Sequence, residues 1–269
     1  MRQRKMAGRH GEVFSLIAPE AGLLLGAGRA ILLQLAHPQI GLAIAKHSDF
    51  ASNPLGRLIH TLGYIYALSN GTPEQQRTII DYVNTAHQPV HGTRNPDRET
   101  PAYSAMDPKL QMWVAATLYD SARVIAAEIL PMAESSDNEN LYRQYAALGD
   151  ALQMPAHFWP DSLGEFDEYF DRTLNTLSVT PQTRRLADEL FLGSNAPWWI
   201  RIGLPLMRDV TIAQLPPTVR EQFGYELSAK AAKRNARAIS FVRLATRILP
   251  KFIRHAPMRW MLRHVDRMG

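Results

Sequence analysis

The sequence predicts an all-α protein that folds as one helical domain. Apolar residues recur at steps of three and four along most of the chain, whereas the strict alternation typical of half-buried strands is rare and short. An N-cap residue followed by proline, as at Thr72-Pro73 and Asp107-Pro108, indicates where individual helices begin. With 269 residues, 46% of them hydrophobic and 20% charged, the chain can bury a sizeable core. We therefore expect residues 1–269 to form a single domain.

The composition excludes several classes of protein. The chain has no cysteine, which rules out disulfides, thiolate metal sites and cysteine nucleophiles. Residues 1–18 are basic but lack the apolar core of a signal peptide, and we expect them to be flexible. Residues 21–45 are the most apolar stretch, but Arg29 and His37 would be costly in lipid. We interpret this stretch as a core helix broken at Pro38, and we expect a cytoplasmic protein.

The first half of the chain is predicted to contain four helices, over residues 22–35, 40–46, 55–69 and 73–87. Thr72 is the expected N-cap of the fourth helix, with proline at its first position. The apolar stripe of this helix steps by three and four into His87, which places that imidazole on the buried face. Pro89 should end the helix just past it.

The second half begins with a polar loop over residues 92–108 and a long helix over residues 108–130. Shorter helices are predicted over residues 141–152, 163–177, 181–191 and 197–215. After Pro216-Pro217, a long basic helix is predicted to reach about residue 249. Residues 218–269 as a whole are interpreted as basic C-terminal helices.

The C-terminal region carries twelve Lys or Arg residues against three acidic residues. A solvated helix face is the commoner explanation of such a charge, and nucleic acid is not an expected partner. Apolar and basic residues alternate here at helical spacing: Phe241, Arg243, Leu244, Arg247, Ile248, Lys251 and Phe252. Peripheral contact with an anionic membrane through the basic C-terminal helix is therefore a second interpretation.

Five of the nine histidines fall between residues 28 and 92: His37, His47, His60, His87 and His91. Several lie among apolar residues, where an imidazole needs a partner, and we predict that these segments line one buried pocket. His87 and His91 are four residues apart, but Pro89 disrupts the helical geometry that a metal-binding pair requires. We therefore expect one ligand, and His87 is better placed. A single histidine ligand leaves open positions on the metal, which fits haem with a proximal histidine.

A polar cluster is predicted at Arg57, His60 and Thr61, which follow the spacing i, i+3 and i+4 and so share one helix face. A guanidinium, an imidazole and a hydroxyl group together suit an anionic ligand or the distal side of a bound metal. The spacing alone favours a plainer alternative, in which Arg57 pairs with a carboxylate and His60 is a hydrogen-bonded core histidine.

Other chemistries find less support. The chain has no GxSxG, HExxH, Walker A or Rossmann glycine motif. Asp167, Glu168 and Asp171 are better explained by a solvated acidic helix face than by a metal cluster. For His37, beside the helix break, and for His47, a structural hydrogen bond is the favoured role.

An ordered set of motifs resembles the MpaB/rubber-oxygenase family and covers nearly the whole chain. The motifs are GRA at 28–30, LAHP at 35–38, HS at 47–48, PLGRL at 54–58, HQPVHG at 87–92, YSA at 103–105, DP at 107–108 and LQMWV at 110–114. The fifth of these resembles the H-x-x-V-x-G motif of the family.

This resemblance implies an all-α core related to the globin arrangement, haem b as cofactor, and dioxygen chemistry. Rubber oxygenase cleaves isoprenoid double bonds, and a fungal relative removes part of a farnesyl chain by oxidation. His87 resembles the proximal iron ligand, and Arg57 and Thr61 resemble paired pocket residues near the haem. His60 falls where rubber oxygenase has a lysine, and residues 41–46 contain no counterpart of its glutamate base.

The expected function is that of a haem b-dependent oxygenase that uses dioxygen on an apolar substrate, isoprenoid or otherwise, with an electron donor yet to be identified. We expect His60, Arg57 and Thr61 to be catalytic, and His87, Arg57, His60, Thr61, His37 and Trp113 to contact the haem. The expected pocket walls are Leu32, Ile44, Ile65, Trp113 and Thr117.

Two rival hypotheses follow from the same residues. In the first, a non-enzymatic haem-binding or redox-sensing protein, His60 and His87 both ligate the iron. In the second, a structural module, the histidines only make hydrogen bonds in the core.

Overall fold

The computed structural model of the protein describes residues 13–47, 54–96, 100–130, 135–194 and 196–268. Within these ranges the all-α prediction is confirmed, because helices follow one another with one two-stranded sheet between them. The first helices are α1 (Val13–Ile17), a 3₁₀ helix (Ala21–Gly26), α2 (Ala27–Ala36), α3 (Pro38–His47), α4 (Pro54–Asn70) and α5 (Pro73–His87).

The sheet pairs β1 (His91–Gly92) with β2 (Tyr103–Ser104) in antiparallel register, within the stretch predicted as a polar loop. The later helices are α6 (Pro108–Ile129), α7 (Ser135–Tyr145), α8 (Ala147–Asp150), a second 3₁₀ helix (Ala156–Phe158), α9 (Leu163–Leu174), α10 (Pro181–Leu192), α11 (Trp198–Arg201), α12 (Leu204–Gln214), α13 (Pro217–Gln222), α14 (Ala229–Ile248), α15 (Lys251–Arg254) and α16 (Ala256–Val265).

The predicted start and end of α5 are confirmed. The amide of Gln75 donates to the Thr72 hydroxyl group at 3.2 Å, and the amide of Thr72 donates to the Gln75 side chain at 2.9 Å, which is a capping box. The helix ends at His87, two residues before Pro89, because proline cannot continue the backbone hydrogen-bonding pattern. The capping box therefore fixes the start of α5, and Pro89 limits its end to the vicinity of His87.

Four predicted helices differ from the observed ones, and one of them, predicted over residues 197–215, is divided into α11 and α12. The first helix, predicted over residues 22–35, is split between a 3₁₀ helix and α2. The helix predicted over residues 141–152 begins earlier, at Ser135. The long basic helix is also two helices, because Gly224 adopts a φ of 70°, a left-handed conformation that an α-helix cannot include. The Ser228 side chain then accepts a hydrogen bond from a first-turn amide and starts α14.

Besides a small separate cluster of Ile125, Ile129 and Ile239, a continuous cluster of buried side chains extends from Phe14 to Val265 and forms the main core of the described chain. The centre of this core is α6. Tyr119 on α6 makes edge-on ring contacts with Tyr142 and Phe166, at centroid distances of 5.4 and 5.0 Å. Such aromatic pairs add roughly 0.5–1.5 kcal/mol each beyond the area that they bury.

The apolar stretch at residues 21–45 lies in this core, as predicted. Its charged residue Arg29 is buried and pairs with Asp120 of α6 at 2.5 Å, and Arg123 reaches the same carboxylate at 2.8 Å. The ion pair fixes α2 against α6, because separating it would leave a buried charge uncompensated. None of the helices in the described ranges combines the length and the apolar character needed to span a bilayer.

Residues 1–18 were expected to be flexible, and residues 1–12 lie outside the described part of the chain. Residues 13–17 form α1, whose Phe14 side chain is buried against Tyr145 with ring centroids 4.6 Å apart. The amide of Phe14 also donates to the Gln144 side chain at 2.7 Å. This packing holds α1 on α7.

Candidate functional site

A cavity of about 510 Å³ lies between α3, α4, α5 and α6. Its volume falls in the usual range for small-molecule and cofactor sites, roughly 300–1,000 Å³. Most lining residues are apolar, and the polar ones are Gln34, His47, Arg57, His60, Thr61, Tyr64, Tyr82, His87, Ser104 and Gln111. Among the described lining residues there is no carboxylate. The charged and titratable side chains of the cavity are therefore those of arginine, histidine and tyrosine.

Helix α4 presents Arg57, His60 and Thr61 to this cavity, as their spacing predicts. The Thr61 hydroxyl group donates to the Arg57 carbonyl oxygen at 2.9 Å, one turn earlier in the helix. The intrahelical bond leaves the hydroxyl oxygen free to accept a further hydrogen bond from a ligand.

Arg57 is a half-buried cation without a carboxylate partner among the described residues. Its Nη2 donates to the Gln34 side-chain oxygen at 3.3 Å, and Gln34 Nε2 donates to the Thr117 hydroxyl oxygen at 3.0 Å. Burial lowers the pKa of Arg57 to about 10. The predicted alternative of a carboxylate partner is thus not found in the described ranges. A cation held this way stabilises an anionic group brought into the cavity.

His87 lies at the last residue of α5 and lines the cavity. Burial lowers the pKa of this imidazole to about 4, with a smaller contribution from the positive charge of Arg57. The imidazole is therefore neutral at physiological pH, the form that can ligate a metal. Its Nδ1 is buried and has no hydrogen-bond partner among the described residues.

His60 is held by Tyr82 of α5. The Tyr82 hydroxyl group lies 3.0 Å from Nε2 and 3.2 Å from Nδ1 of His60, and the two ring centroids are 4.6 Å apart. Burial lowers the pKa of His60, and His264 lowers it further. His60 is therefore also a neutral imidazole at physiological pH, and it can either accept or donate one proton.

His47 lines the cavity at the end of α3, where its Nε2 lies 2.7 Å from the Tyr103 hydroxyl group. This contact is the structural hydrogen bond that we predicted for it. It connects α3 to β2, and so fixes one wall of the cavity.

His37 and Trp113, both expected to contact the cofactor, are not among the lining residues of the large cavity. Trp113 Nε1 donates to the Leu33 carbonyl oxygen at 3.3 Å, and its ring packs 5.1 Å from that of Phe170. The His37 ring lies 6.4 Å from Trp113, and its Nδ1 has no hydrogen-bond partner among the described residues. The structure thus places Trp113 in the core, with His37 half-buried near it.

His37 makes the stability of the apo-protein depend on pH. Burial lowers its folded-state pKa to about 4, although Asp107 partly opposes this shift. The unfolded chain therefore binds more protons below about pH 6.5, and folding stability should fall by ~3 kcal/mol from this residue as the pH drops from 7 to 4. Urea unfolding of the His37→Gln variant should show about half the wild-type loss, since His87 titrates in the same range. The exposed His91→Gln control should keep the full loss, and an equally steep profile for His37→Gln would contradict the assignment.

Of the five predicted wall residues, Ile44 lines the large cavity. Ile65 lines a second cavity of about 80 Å³, between the first 3₁₀ helix, α2, α4 and α6. The other three, Leu32, Trp113 and Thr117, are fully buried in the core. The two cavities share four lining residues, which form the partition between them: Gln34, Arg57, Thr61 and Leu118.

Five polar lining residues were absent from the predicted site: Gln34, Tyr64, Tyr82, Ser104 and Gln111. Gln34 had a detectable signal, a polar side chain inside an apolar helix. Gln111 Nε2 donates to the Gln153 side-chain oxygen at 2.5 Å, and Gln153 Nε2 donates to the Asn84 side-chain oxygen at 2.6 Å. These two hydrogen bonds connect the last turn of α5, which carries His87, to α6.

A model of the family described as "ER-bound oxygenase mpaB/B'/Rubber oxygenase, catalytic domain" matches residues 15–248 of the chain. Similar proteins are the uncharacterized protein Mb2261 of Mycobacterium bovis and the uncharacterized protein Rv2237 of Mycobacterium tuberculosis. Each is 29% identical over 229 residues, covering 82% of this chain and 87% of the relative. No solved structure matches the chain.

Proposed function

Because the chain belongs to the mpaB/rubber oxygenase catalytic-domain family, we propose that it is a haem b-dependent oxygenase that acts on an apolar substrate with dioxygen. The family is one of oxygenase catalytic domains, which supports the general reaction class. The observation that carries the haem assignment is the presence, in one large cavity, of a neutral, half-buried His87 and an Arg57 that has no carboxylate partner among the described residues.

The residues of the cavity fit haem in three respects. The volume of about 510 Å³ and the mostly apolar walls suit a large flat macrocycle. His87 offers an unprotonated imidazole with an unpartnered nitrogen. Arg57 offers a positive charge that lacks a carboxylate within the described chain, which suits a propionate.

In this proposal His87 would hold the iron and Arg57 would bind a propionate, while Thr61 would offer its hydroxyl group nearby. Haem, when bound, supplies the iron that binds and activates dioxygen. The chain supplies orientation, polarity and the exclusion of water. The apolar side chains of α3 and α6 that line the cavity keep water away from the reacting groups.

Histidine and tyrosine side chains would have to transfer protons in the cavity, because the described lining residues contain no carboxylate. His60 is the neutral imidazole on the α4 side, and its contact with Tyr82 gives it a defined orientation. It can hold a proton at one ring nitrogen and accept one at the other. This is a different arrangement from a carboxylate base, so we propose His60 as the proton-transfer residue.

An apolar substrate is favoured by the walls of both cavities. The smaller cavity is lined mostly by leucine, isoleucine and alanine, and Leu118 belongs to both cavities. Each cavity therefore offers apolar contacts to a hydrocarbon group, and each buried CH₂ group contributes ~0.8 kcal/mol.

The reaction is tested with haem-loaded protein, a reductant and a length series of isoprenoid chains under isotopically labelled dioxygen. We expect labelled oxygen in a carbonyl or hydroxyl group of the product. A haem-loaded protein that transfers label to none of the chains would overturn the oxygenase proposal and leave haem binding standing.

The rival with both His60 and His87 on the iron is disfavoured by Tyr82, because ligation of iron by His60 competes with its hydrogen bond to the Tyr82 hydroxyl group. We expect Tyr82→Phe to release His60 and to raise the ratio of six-coordinate low-spin haem to five-coordinate haem by about fivefold. This factor corresponds to the loss of one hydrogen bond of about 1 kcal/mol. The absorption spectrum measures this ratio. The double variant His60→Ala/Tyr82→Phe should lose the low-spin species, and a wild-type protein that is already fully low-spin and inert to carbon monoxide would support the rival.

A further inference from the structure

We propose that an exposed face of α14 docks the protein on the surface of an anionic lipid membrane. This docking face consists of Lys230, Lys233, Arg237, Phe241, Leu244 and Ile248. The proposal concerns a surface remote in sequence from the haem-site residues, and it does not depend on the oxygenase assignment.

The apolar part of the docking face is strongly exposed. Phe241 is 72% exposed, Leu244 57% and Ile248 68%. Single exposed apolar side chains are common on protein surfaces, whereas three on successive turns of one helix leave a contiguous patch that normally has an occupant. The patch extends into α15, where Phe252 is 66% exposed.

The six residues form one stripe along the helix. Successive members are separated by three or four residues, so their side chains share one side of α14, and all six are exposed. The opposite side of the helix carries Ala231 and Ile239, which are buried in the core. The stripe therefore changes along its length from basic at Lys230–Arg237 to apolar at Phe241–Ile248.

The positive charge of residues 218–269 favours an anionic partner for the docking face. Residues 218–269 contain twelve Lys or Arg and three acidic residues, and those three acids, Glu221, Glu226 and Asp266, lie outside α14. An anionic lipid surface satisfies both halves of the stripe, because headgroups attract the basic half and the acyl boundary accepts the apolar half. A second copy of the chain would instead bring this cationic face against itself, which like charges oppose.

The dimensions agree with an interfacial helix. At 1.5 Å per residue, the 20 residues of α14 extend about 30 Å, long enough to place the basic half over headgroups while the apolar end enters the interface by about 5–10 Å.

The test is co-sedimentation of the full-length protein with vesicles of phosphatidylcholine alone and with vesicles that also contain phosphatidylglycerol. We expect binding to the anionic vesicles that weakens with added salt. The triple variant Phe241→Ser/Leu244→Ser/Ile248→Ser should lose at least about tenfold in affinity. The triple variant Lys230→Ser/Lys233→Ser/Arg237→Ser should lose about 100-fold on anionic vesicles, at about fivefold per charge.

The chain offers a matched control. Leu192, Trp198 and Ile202 are 65%, 74% and 71% exposed, and they lie on or beside α10 and α11. Their replacement by serine should leave vesicle binding unchanged. Equal losses in this control, or absence of binding to anionic vesicles by the wild type, would overturn the proposal. So would a concentration-dependent dimer that the apolar variant converts to a monomer, because a second copy would then cover the face.

Discussion

The His87→Gly variant should lose its bound haem, with a haem dissociation constant raised by at least about 100-fold. Residues that only support a metal ligand already contribute 10–100-fold to metal affinity, so removal of the ligand itself should cost at least as much. His87 lines the cavity and is neutral at physiological pH, since burial lowers its pKa to about 4. Haem transfer to an acceptor protein, followed by the loss of the Soret band, measures the change.

His91 is the control for this substitution. It lies four residues further on, is exposed, and belongs to β1 instead of α5. The His91→Gly variant should bind haem as the wild type does. Added imidazole should restore a Soret band to His87→Gly, because it can fill the space left by the side chain. Identical spectra for the wild type and His87→Gly would exclude His87 as the ligand.

The Arg57→Met variant should change apo-protein stability and haem affinity in opposite directions. In the apo-protein, the buried guanidinium has Gln34 as its side-chain partner and a pKa lowered to about 10 by desolvation. Its desolvation opposes folding by a few kcal/mol at neutral pH, where the group is charged in both the folded and unfolded states. Methionine removes this cost but leaves Gln34 with one hydrogen bond fewer, so we expect a net gain of ~1–2 kcal/mol in the free energy of unfolding.

Haem affinity of the same variant should fall by about 10–100-fold, the usual contribution of a hydrogen bond to a charged group. The two measurements are thermal unfolding of the apo-protein and haem titration. Arg77 on the exposed side of α5 provides the control, and Arg77→Met should change neither quantity appreciably. An Arg57→Met apo-protein that is less stable than the wild type would show that Arg57 already has a compensating partner.

Local spacing was sufficient to predict the parts of the site that lie on single helices. The steps of three and four that end at His87 and the i, i+3, i+4 set on α4 both reach the cavity. Gly224 could have indicated the end of α13, because glycine often adopts the left-handed conformation that ends a helix. The helical periodicity on both sides of it led to the prediction of one continuous helix.

Contacts between helices could not be predicted from spacing. The pairs Gln34–Arg57 and His60–Tyr82 depend on how α2 and α5 pack on α4. The pattern of residues in a single sequence does not show which helices pack on one another. His37 is half-buried like His87, yet it lies outside the large cavity, with its ring 6.4 Å from that of Trp113. Burial alone therefore did not separate a cavity-lining histidine from one that does not line the cavity.

The most direct test of the account is the absorption spectrum of the purified protein, expressed with iron and a haem precursor. A haem pocket with an accessible iron predicts a strong Soret band that shifts on reduction and again on addition of carbon monoxide. A colourless protein that also fails to bind added hemin would contradict the account, and would leave the cavity to a ligand of another kind.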